Sequence, residues 1–140
     1  MRSEIAFLKM TNPDEYKRNL YLSDEYIIKQ LSLPAEDSRW KINSIIPLVD
    51  RYISYINKDE INLLDVGGGT GAILNAVSEY IKESHSIKVN TFALDISFGM
   101  LDIQKKQNPK LRKALAEDIC MTSLGNKEID LTLMIDVINL

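Results

Sequence analysis

The feature that most constrains this chain is a run of glycines between an apolar stretch and a second stretch with helical spacing. Residues 61–66 are mostly apolar, residues 67–71 contain four glycines, and apolar residues return at helical spacing from Ala72. This order predicts a strand, a tight turn and a helix. Glycine reaches backbone conformations that a Cβ forbids and lets the main chain approach a ligand closely, while a helix N-terminus attracts anionic groups. The segment therefore predicts a loop that binds a nucleotide-like ligand.

The chain after residue 61 alternates short apolar runs with amphipathic helices, which predicts βαβ units and a parallel sheet. Predicted strands span residues 61–66, 88–94 and 129–135, with a weaker one within 112–117, and predicted helices span 71–83 and 97–108. The fourth apolar run is nearly uninterrupted, as expected of a strand covered on both faces. The expected fold is α/β, with a mostly parallel, Rossmann-like sheet that stops after its fourth strand.

Residues 1–60 are predicted to form a helical N-terminal cap segment, which we expect to join the core of residues 61–140 in one domain. Its clearest helix runs from Ile42 to Ile56 after a predicted turn at 35–38, and Pro47 interrupts the pattern. Because proline lacks a backbone donor, we expect either a kink there or two helices. Plain helix packing is one interpretation of the aromatic residues in this segment, which are Tyr16, Tyr21, Tyr26 and Trp40.

Composition excludes several classes of function. The chain has 140 residues, 45% of them hydrophobic, and a formal net charge of −3 with scattered basic residues, so we expect no nucleic-acid partner. No segment approaches the roughly 20 apolar residues of a membrane helix. The single cysteine, Cys120, fits a reducing compartment, so cytoplasm is the expected location. We expect Cys120 to be a small buried residue, His85 to lie in a surface loop, and no metal site.

Acidic residues follow the predicted strands at the edge where parallel α/β sheets bind ligands. Asp65 ends the first strand, Asp95 the second, Glu117 and Asp118 follow the third, and Asp136 follows the fourth. A carboxylate can accept two hydrogen bonds from vicinal ribose hydroxyls, which makes Asp95 the strongest candidate. Structural alternatives remain open, because the glycines could form only a tight turn, Asp65 could cap the helix that follows, and Asp118 could be a turn residue.

Four segments resemble a known family in order and spacing. Residues 65–71, Asp-Val-Gly-Gly-Gly-Thr-Gly, look like the D-x-G-x-G-x-G signature of class I S-adenosylmethionine-dependent methyltransferases. Residues 93–101 are similar to the acidic second-strand motif of that family, residues 116–120 to its third-strand motif and residues 130–140 to its fourth-strand motif. A complete member has seven strands, so the resemblance implies that a downstream half is missing or is replaced by a partner. N-terminal helices often form a lid over the pocket in this family, so the resemblance also makes the aromatic residues of residues 1–60 candidate substrate contacts: Tyr16, Tyr21, Tyr26 and Trp40.

The resemblance implies S-adenosyl-L-methionine as cofactor and assigns its contacts by position. The implied cofactor-binding residues are Asp65, Gly67, Gly69 and Gly71 for the methionine part, Asp95 and Ile96 for the ribose side, Asp118 and Ile119 for the adenine, and Asp136 beside the methyl donor. Methyl transfer is an in-line displacement in which positioning supplies much of the rate, so no catalytic residue is assigned.

Three functional hypotheses follow. The first is an S-adenosylmethionine-dependent methyltransferase with an unidentified acceptor, for which a small molecule is favoured. The second is an NAD-dependent oxidoreductase, because Gly67, Gly69 and Ala72 also satisfy G-x-G-x-x-G/A. The third is a non-catalytic interaction module. The exposed edge of the fourth strand would also allow a homo-oligomer.

Overall fold

A computed structural model describes residues 23–25 and 35–135, with side chains from residue 38 onward in the longer segment. The elements in chain order are α1 (Ala35–Tyr55), β1 (Glu60–Val66), α2 (Ala72–His85), β2 (Lys88–Asp95), α3 (Phe98–Gln107), β3 (Lys113–Ala116), a 3-10 turn (Ile119–Met121) and β4 (Leu131–Leu133). Within these residues no helix is both long enough and apolar enough to span a bilayer.

The four strands form one parallel sheet in the order β3-β2-β1-β4. The chain steps outward from β1 through β2 to β3 and then returns to the other side of β1, so strand order reverses between β1 and β4. This confirms the Rossmann-like α/β fold, in which ligands bind beyond the carboxyl ends of the strands at the reversal.

β4 is shorter than predicted, with three residues paired to β1. The first two residues of the predicted strand lie before β4. Ile129 packs against an apolar cluster, and Oδ2 of Asp130 accepts a hydrogen bond from the Asn62 N–H over 2.8 Å. Lys58 also donates to the Asp130 carboxylate, and the Tyr52 hydroxyl donates to the Asp130 carbonyl over 2.7 Å. These contacts tie the chain entering β4 to the amino end of β1.

The alternating side chains of the strands build a core on each face of the sheet. On one face the sheet packs against α1 and α2. The buried members of that cluster are Val49, Ile53, Ile61, Leu63, Leu74, Val77, Ile81, Val89 and Leu133. On the other face the buried members are Leu64, Val66, Phe92 and Leu94, covered in part by Leu115, Ile119, Leu124 and Ile129.

α1 is a single helix of 21 residues that passes through Pro47. The two-helix alternative is therefore wrong, and so is the predicted turn at 35–38, which is helical. Pro47 lies on the exposed face, while Val49 and Ile53 are buried against the sheet, so their packing holds the helix together across the missing donor. Trp40 is 69% exposed, which contradicts helix packing for that residue. Tyr16, Tyr21 and Tyr26 lie outside the described residues.

A polar cluster joins α1 to the end of α2. The Tyr80 hydroxyl donates to Oδ1 of Asp50 over 2.6 Å, and Nε2 of His85 lies 2.8 Å from the same oxygen. These hydrogen bonds, from Tyr80 and then His85, hold the pKa of Asp50 below its usual value. His85 is thus a partly buried helix residue, and the prediction of a surface loop was wrong because its partner is 35 residues away.

Candidate functional site

The glycine loop between β1 and α2 has a backbone that depends on glycine at three positions. Gly67, Gly69 and Gly71 have φ angles of 64°, 61° and 84°, in the region that residues with a Cβ rarely adopt. The Gly67 N–H donates to the Leu94 carbonyl over 2.8 Å, and the Gly71 N–H donates to the Gly68 carbonyl over 3.1 Å. The loop therefore starts as an extension of the sheet and closes into the first turn of α2.

Gly68 is required for a different reason, which the sequence analysis missed. A Cβ placed on Gly68 would lie 1.8 Å from Oδ2 of Asp65, so no other residue fits without moving that carboxyl group. The motif spacing gave no signal, because it treats position 68 as variable. The only hint in the sequence was the occurrence of a glycine where the pattern requires none.

Asp65 is held under this loop at the end of β1. Its side chain is 2% exposed, and Oδ2 has no hydrogen-bond partner within the described residues. Burial, and then the negative charge of Asp95, raises the pKa of Asp65 to about 7. Asp65 does not cap α2, whose N-cap is Gly71 without a side-chain cap, so the capping alternative is wrong. An unpaired buried carboxyl oxygen fits a ligand that brings a hydrogen-bond donor or a cation.

Asp95 ends β2 and lies near enough to Asp65 to affect its ionisation. Its Oδ1 accepts from the Ser97 N–H over 2.8 Å, and Ser97 in turn caps α3 through the Met100 N–H. Burial raises the pKa of Asp95, while the backbone N–H groups of Ser97 and Ile96 oppose this rise. The α3 cap therefore fixes the orientation of the Asp95 carboxyl group.

The loop after β3 holds the remaining described candidates. Oδ1 of Asp118 accepts from the Cys120 N–H over 2.9 Å and so caps the 3-10 turn, which agrees with the turn alternative. Ile119 packs against the apolar cluster beneath it. Cys120 is exposed, so the prediction that it is buried was wrong.

The structure brings Asp65, the glycine loop and Asp95 together, because residues 65 and 66 pair with residues 93 and 94 in register. The Asp118 turn follows β3 at the same edge, since Ala116 pairs with Asp95. Asp136 lies outside the described residues. Within residues 23–25 and 35–135 no group of three His, Cys, Asp or Glu side chains could hold a metal ion.

Comparison with known families assigns the class. The family model described as a methyltransferase domain matches residues 64–140, a stretch that begins within β1 and includes the glycine loop and Asp95. The chain therefore belongs to the methyltransferase domain family, and the resemblance found in its motifs is confirmed. No curated protein sequence matches the chain.

Several solved structures share the fold. A SAM-dependent methyltransferase from Aquifex aeolicus is 21% identical with a TM-score of 0.54, over 79% of this chain and 55% of that one. The plantazolicin methyltransferase BpumL, solved in complex with SAH, is 22% identical with a TM-score of 0.54, over 94% of this chain and 48% of that one. A Haloferax volcanii complex of the Trm112 methyltransferase activator with a methyltransferase is 17% identical with a TM-score of 0.53, over 82% of this chain and 45% of that one. The chain spans about half the length of these structures.

Proposed function

We propose that this protein transfers a methyl group from S-adenosyl-L-methionine to an acceptor, and that the described strand ends form the cofactor-binding half of its site. The observation that carries the proposal is the buried Asp65 carboxyl group, which lies against Gly68 and has one oxygen without a partner among the described residues. Membership of the methyltransferase domain family supports the same conclusion.

The residues at this edge suit the parts of that cofactor. Asp65 offers an acceptor for the methionine ammonium group, beneath a loop whose backbone is open to close approach at Gly67, Gly69 and Gly71. Asp95, with the backbone at Ile96, would hold the ribose hydroxyls. Asp118 and Ile119 would border the adenine, and Asp136 the methyl donor.

The bound cofactor supplies a methyl group on a positively charged sulfur, which is displaced in line by the acceptor. The residues of this chain would then act by binding and orientation, since holding the acceptor in line with the sulfonium supplies much of the rate. We accordingly assign no catalytic residue. The SAH complex of BpumL supports a ligand of this class for the shared fold.

Two other hypotheses become outcomes of the test. NAD would use the same glycines and Asp95, but the family match favours the methyltransferase. A non-catalytic module that has lost the cofactor site would bind little or no S-adenosylhomocysteine.

Calorimetry with S-adenosylhomocysteine tests the proposal on the purified protein. We expect saturable binding that Asp95→Ala weakens roughly 10- to 100-fold, the effect of losing charged hydrogen bonds. Asp102→Ala is the matched control, because this α3 carboxylate pairs with Lys106 over 2.9 Å. The folded protein giving no heat, Asp95→Ala binding like the wild type, or stabilisation by NAD in place of S-adenosylhomocysteine would each overturn it.

We propose a small-molecule acceptor, since a net charge of −3 provides no general attraction for nucleic acids. We also propose a cytoplasmic location, which the single cysteine supports. β4 pairs on one side with β1, and the sheet order gives its other edge no partner strand within the described residues. That edge supports pairing with a second copy of the chain.

A further inference from the structure

Gln104 is a buried polar residue that nothing in the sequence singled out. It lies on α3, its side chain is 2% exposed, and neither Oε1 nor Nε2 has a hydrogen-bond partner within the described residues. Buried amide groups almost always have hydrogen-bond partners in the protein, because burial removes the water that would otherwise bond to both the oxygen and the NH₂ group. An apolar residue of similar length would fill this position without the free-energy cost of burying an unpaired amide. The presence of a carboxamide group therefore indicates a hydrogen-bond partner.

The end of the glycine loop lies beside the Gln104 side chain. A Cβ placed on Gly71 would lie 3.2 Å from both Cγ and Oε1 of Gln104. Gly71 is the N-cap of α2, has a φ of 84° and receives no side-chain cap. The Gln104 side chain thus occupies the space beside the residue at which the loop becomes a helix.

The loop has one buried polar side chain against each end. Asp65 lies against Gly68, Gln104 lies against Gly71, and the Gly71 N–H donates to the Gly68 carbonyl between them. Asp65 and Gln104 both carry polar atoms without hydrogen-bond partners in the part of the chain that the structure describes. The Gly71 N–H and carbonyl already bond to the Gly68 carbonyl and to the Asn75 N–H. Because peptide groups next to glycine rotate at low cost, a rotation that opens the bond between Gly71 and Gly68 would turn one of its two groups toward Gln104.

We propose that Gln104 is a positioning residue for the glycine loop, and that its carboxamide group hydrogen-bonds to the loop backbone when the loop binds its ligand. The inference rests on the proposed function, because the ligand is taken to be the methyltransferase cofactor. Gln104 would act through the loop and would not touch the ligand. Its hydrogen bonds would lower the mobility of the loop around Gly71 and so favour the binding conformation.

The test combines a near-isosteric variant with two measurements that move in opposite directions. Gln104→Met keeps the packing beside Gly71 but removes both unpaired polar atoms. We expect the Tm of the variant without ligand to rise by about 4 °C, because an unsatisfied buried amide is lost. We expect its affinity for S-adenosylhomocysteine to fall about 5- to 10-fold, because the loop loses a hydrogen bond in the bound form.

Ser78→Ala is the matched control. Ser78 is equally buried and its hydroxyl is also unpaired, but it lies two helical turns beyond Gly71 on α2. Its removal is expected to leave the affinity unchanged. In the wild type, the side-chain NH₂ signals of Gln104, assigned by through-bond correlation to its own backbone, should shift and exchange more slowly with water when S-adenosylhomocysteine is added.

The outcomes separate the two proposals. A wild type that does not bind S-adenosylhomocysteine contradicts the proposed function. A wild type that binds, with an unchanged affinity in Gln104→Met or unchanged Gln104 NH₂ signals, contradicts the role of Gln104 and leaves it as a packing residue or the ligand of a buried water. The NMR measurement needs only the wild type for its outcome, so poor folding of the variant does not remove the test.

Discussion

Asp65 and Gly68 specify each other at the scale of single residues. The carboxyl group occupies the volume that a side chain at position 68 would need, and the glycine allows a carboxyl group to be buried directly beneath the loop. Asp95 lies near this pair, and its negative charge adds to the effect of burial in raising the pKa of Asp65. Two carboxyl groups are thus kept together at the end of neighbouring strands, where either would be easier to accommodate alone.

The steric constraint predicts that Gly68→Ala destabilises the protein by about 2–3 kcal/mol, a typical cost of overpacking. Gly125→Ala is the control, since a Cβ there would meet only Oε2 of Glu128 at 3.6 Å and the backbone has no positive φ. Urea denaturation measures both. Adding Asp65→Ala to Gly68→Ala should restore part of the loss, and equal stability of the two single variants would contradict the constraint.

The raised pKa of Asp65 predicts a stability that depends on pH. With a pKa of about 7 in the folded protein and about 4 in the unfolded chain, the folded state binds more protons between these values. This contribution to the free energy of unfolding is therefore largest at acid pH, declines as pH rises from about 4 to about 7, and is constant above. Its size is up to about 4 kcal/mol.

Asp65→Asn should remove that decline. Urea denaturation at pH 5 and pH 8 would measure the change in unfolding free energy for the wild type and the variant. The wild type is expected to lose more stability than Asp65→Asn between the two pH values. Parallel behaviour of the two proteins would show that Asp65 is ionised in the folded state already at pH 5.

At the scale of elements, α1 precedes the residues that the family model matches but is packed as part of the same core. Its apolar face was predictable because side chains recur at helical spacing from Ile42 to Ile56. The continuity of α1 through Pro47 was not predictable, since the sequence does not show how strongly the neighbouring residues pack against the sheet. Val49 and Ile53 provide that packing.

Ile53→Ala should therefore destabilise the protein by about 2–4 kcal/mol, through lost burial and the cavity left behind. Leu48→Ala is the control on the same helix, because Leu48 is 66% exposed, and its effect is expected within about 0.5 kcal/mol. Thermal or urea denaturation measures both. Equal unfolding free energies for the two variants would contradict the packing of α1 into the core.

At the scale of the whole molecule, the sheet and the position of the site were predictable from local patterns. Apolar runs, glycines and intervening amphipathic helices define strands and crossovers, and the acids at strand ends fall on one edge by topology. The contacts of Gln104 with Gly71 and of His85 with Asp50 were not predictable, because each joins residues distant in sequence. Gly68 and Asp65 are neighbours in sequence, but their contact depends on how the loop folds back over the carboxyl group. The length of β4 depended in the same way on the contacts of Asp130.

The contacts at the entry of β4 also bear on the order in which the chain folds. The pairing of Asn62 with Asn90 closes 28 residues, whereas the bond between Asn62 and Asp130 closes 68. Contacts between residues closer in sequence cost less chain entropy to form. We therefore expect β1 and β2 to associate early, which would assemble the glycine loop and Asp95 as half of the site. β4 would join last, when Asp130 at its entry forms hydrogen bonds with Asn62 on β1 and Tyr52 on α1.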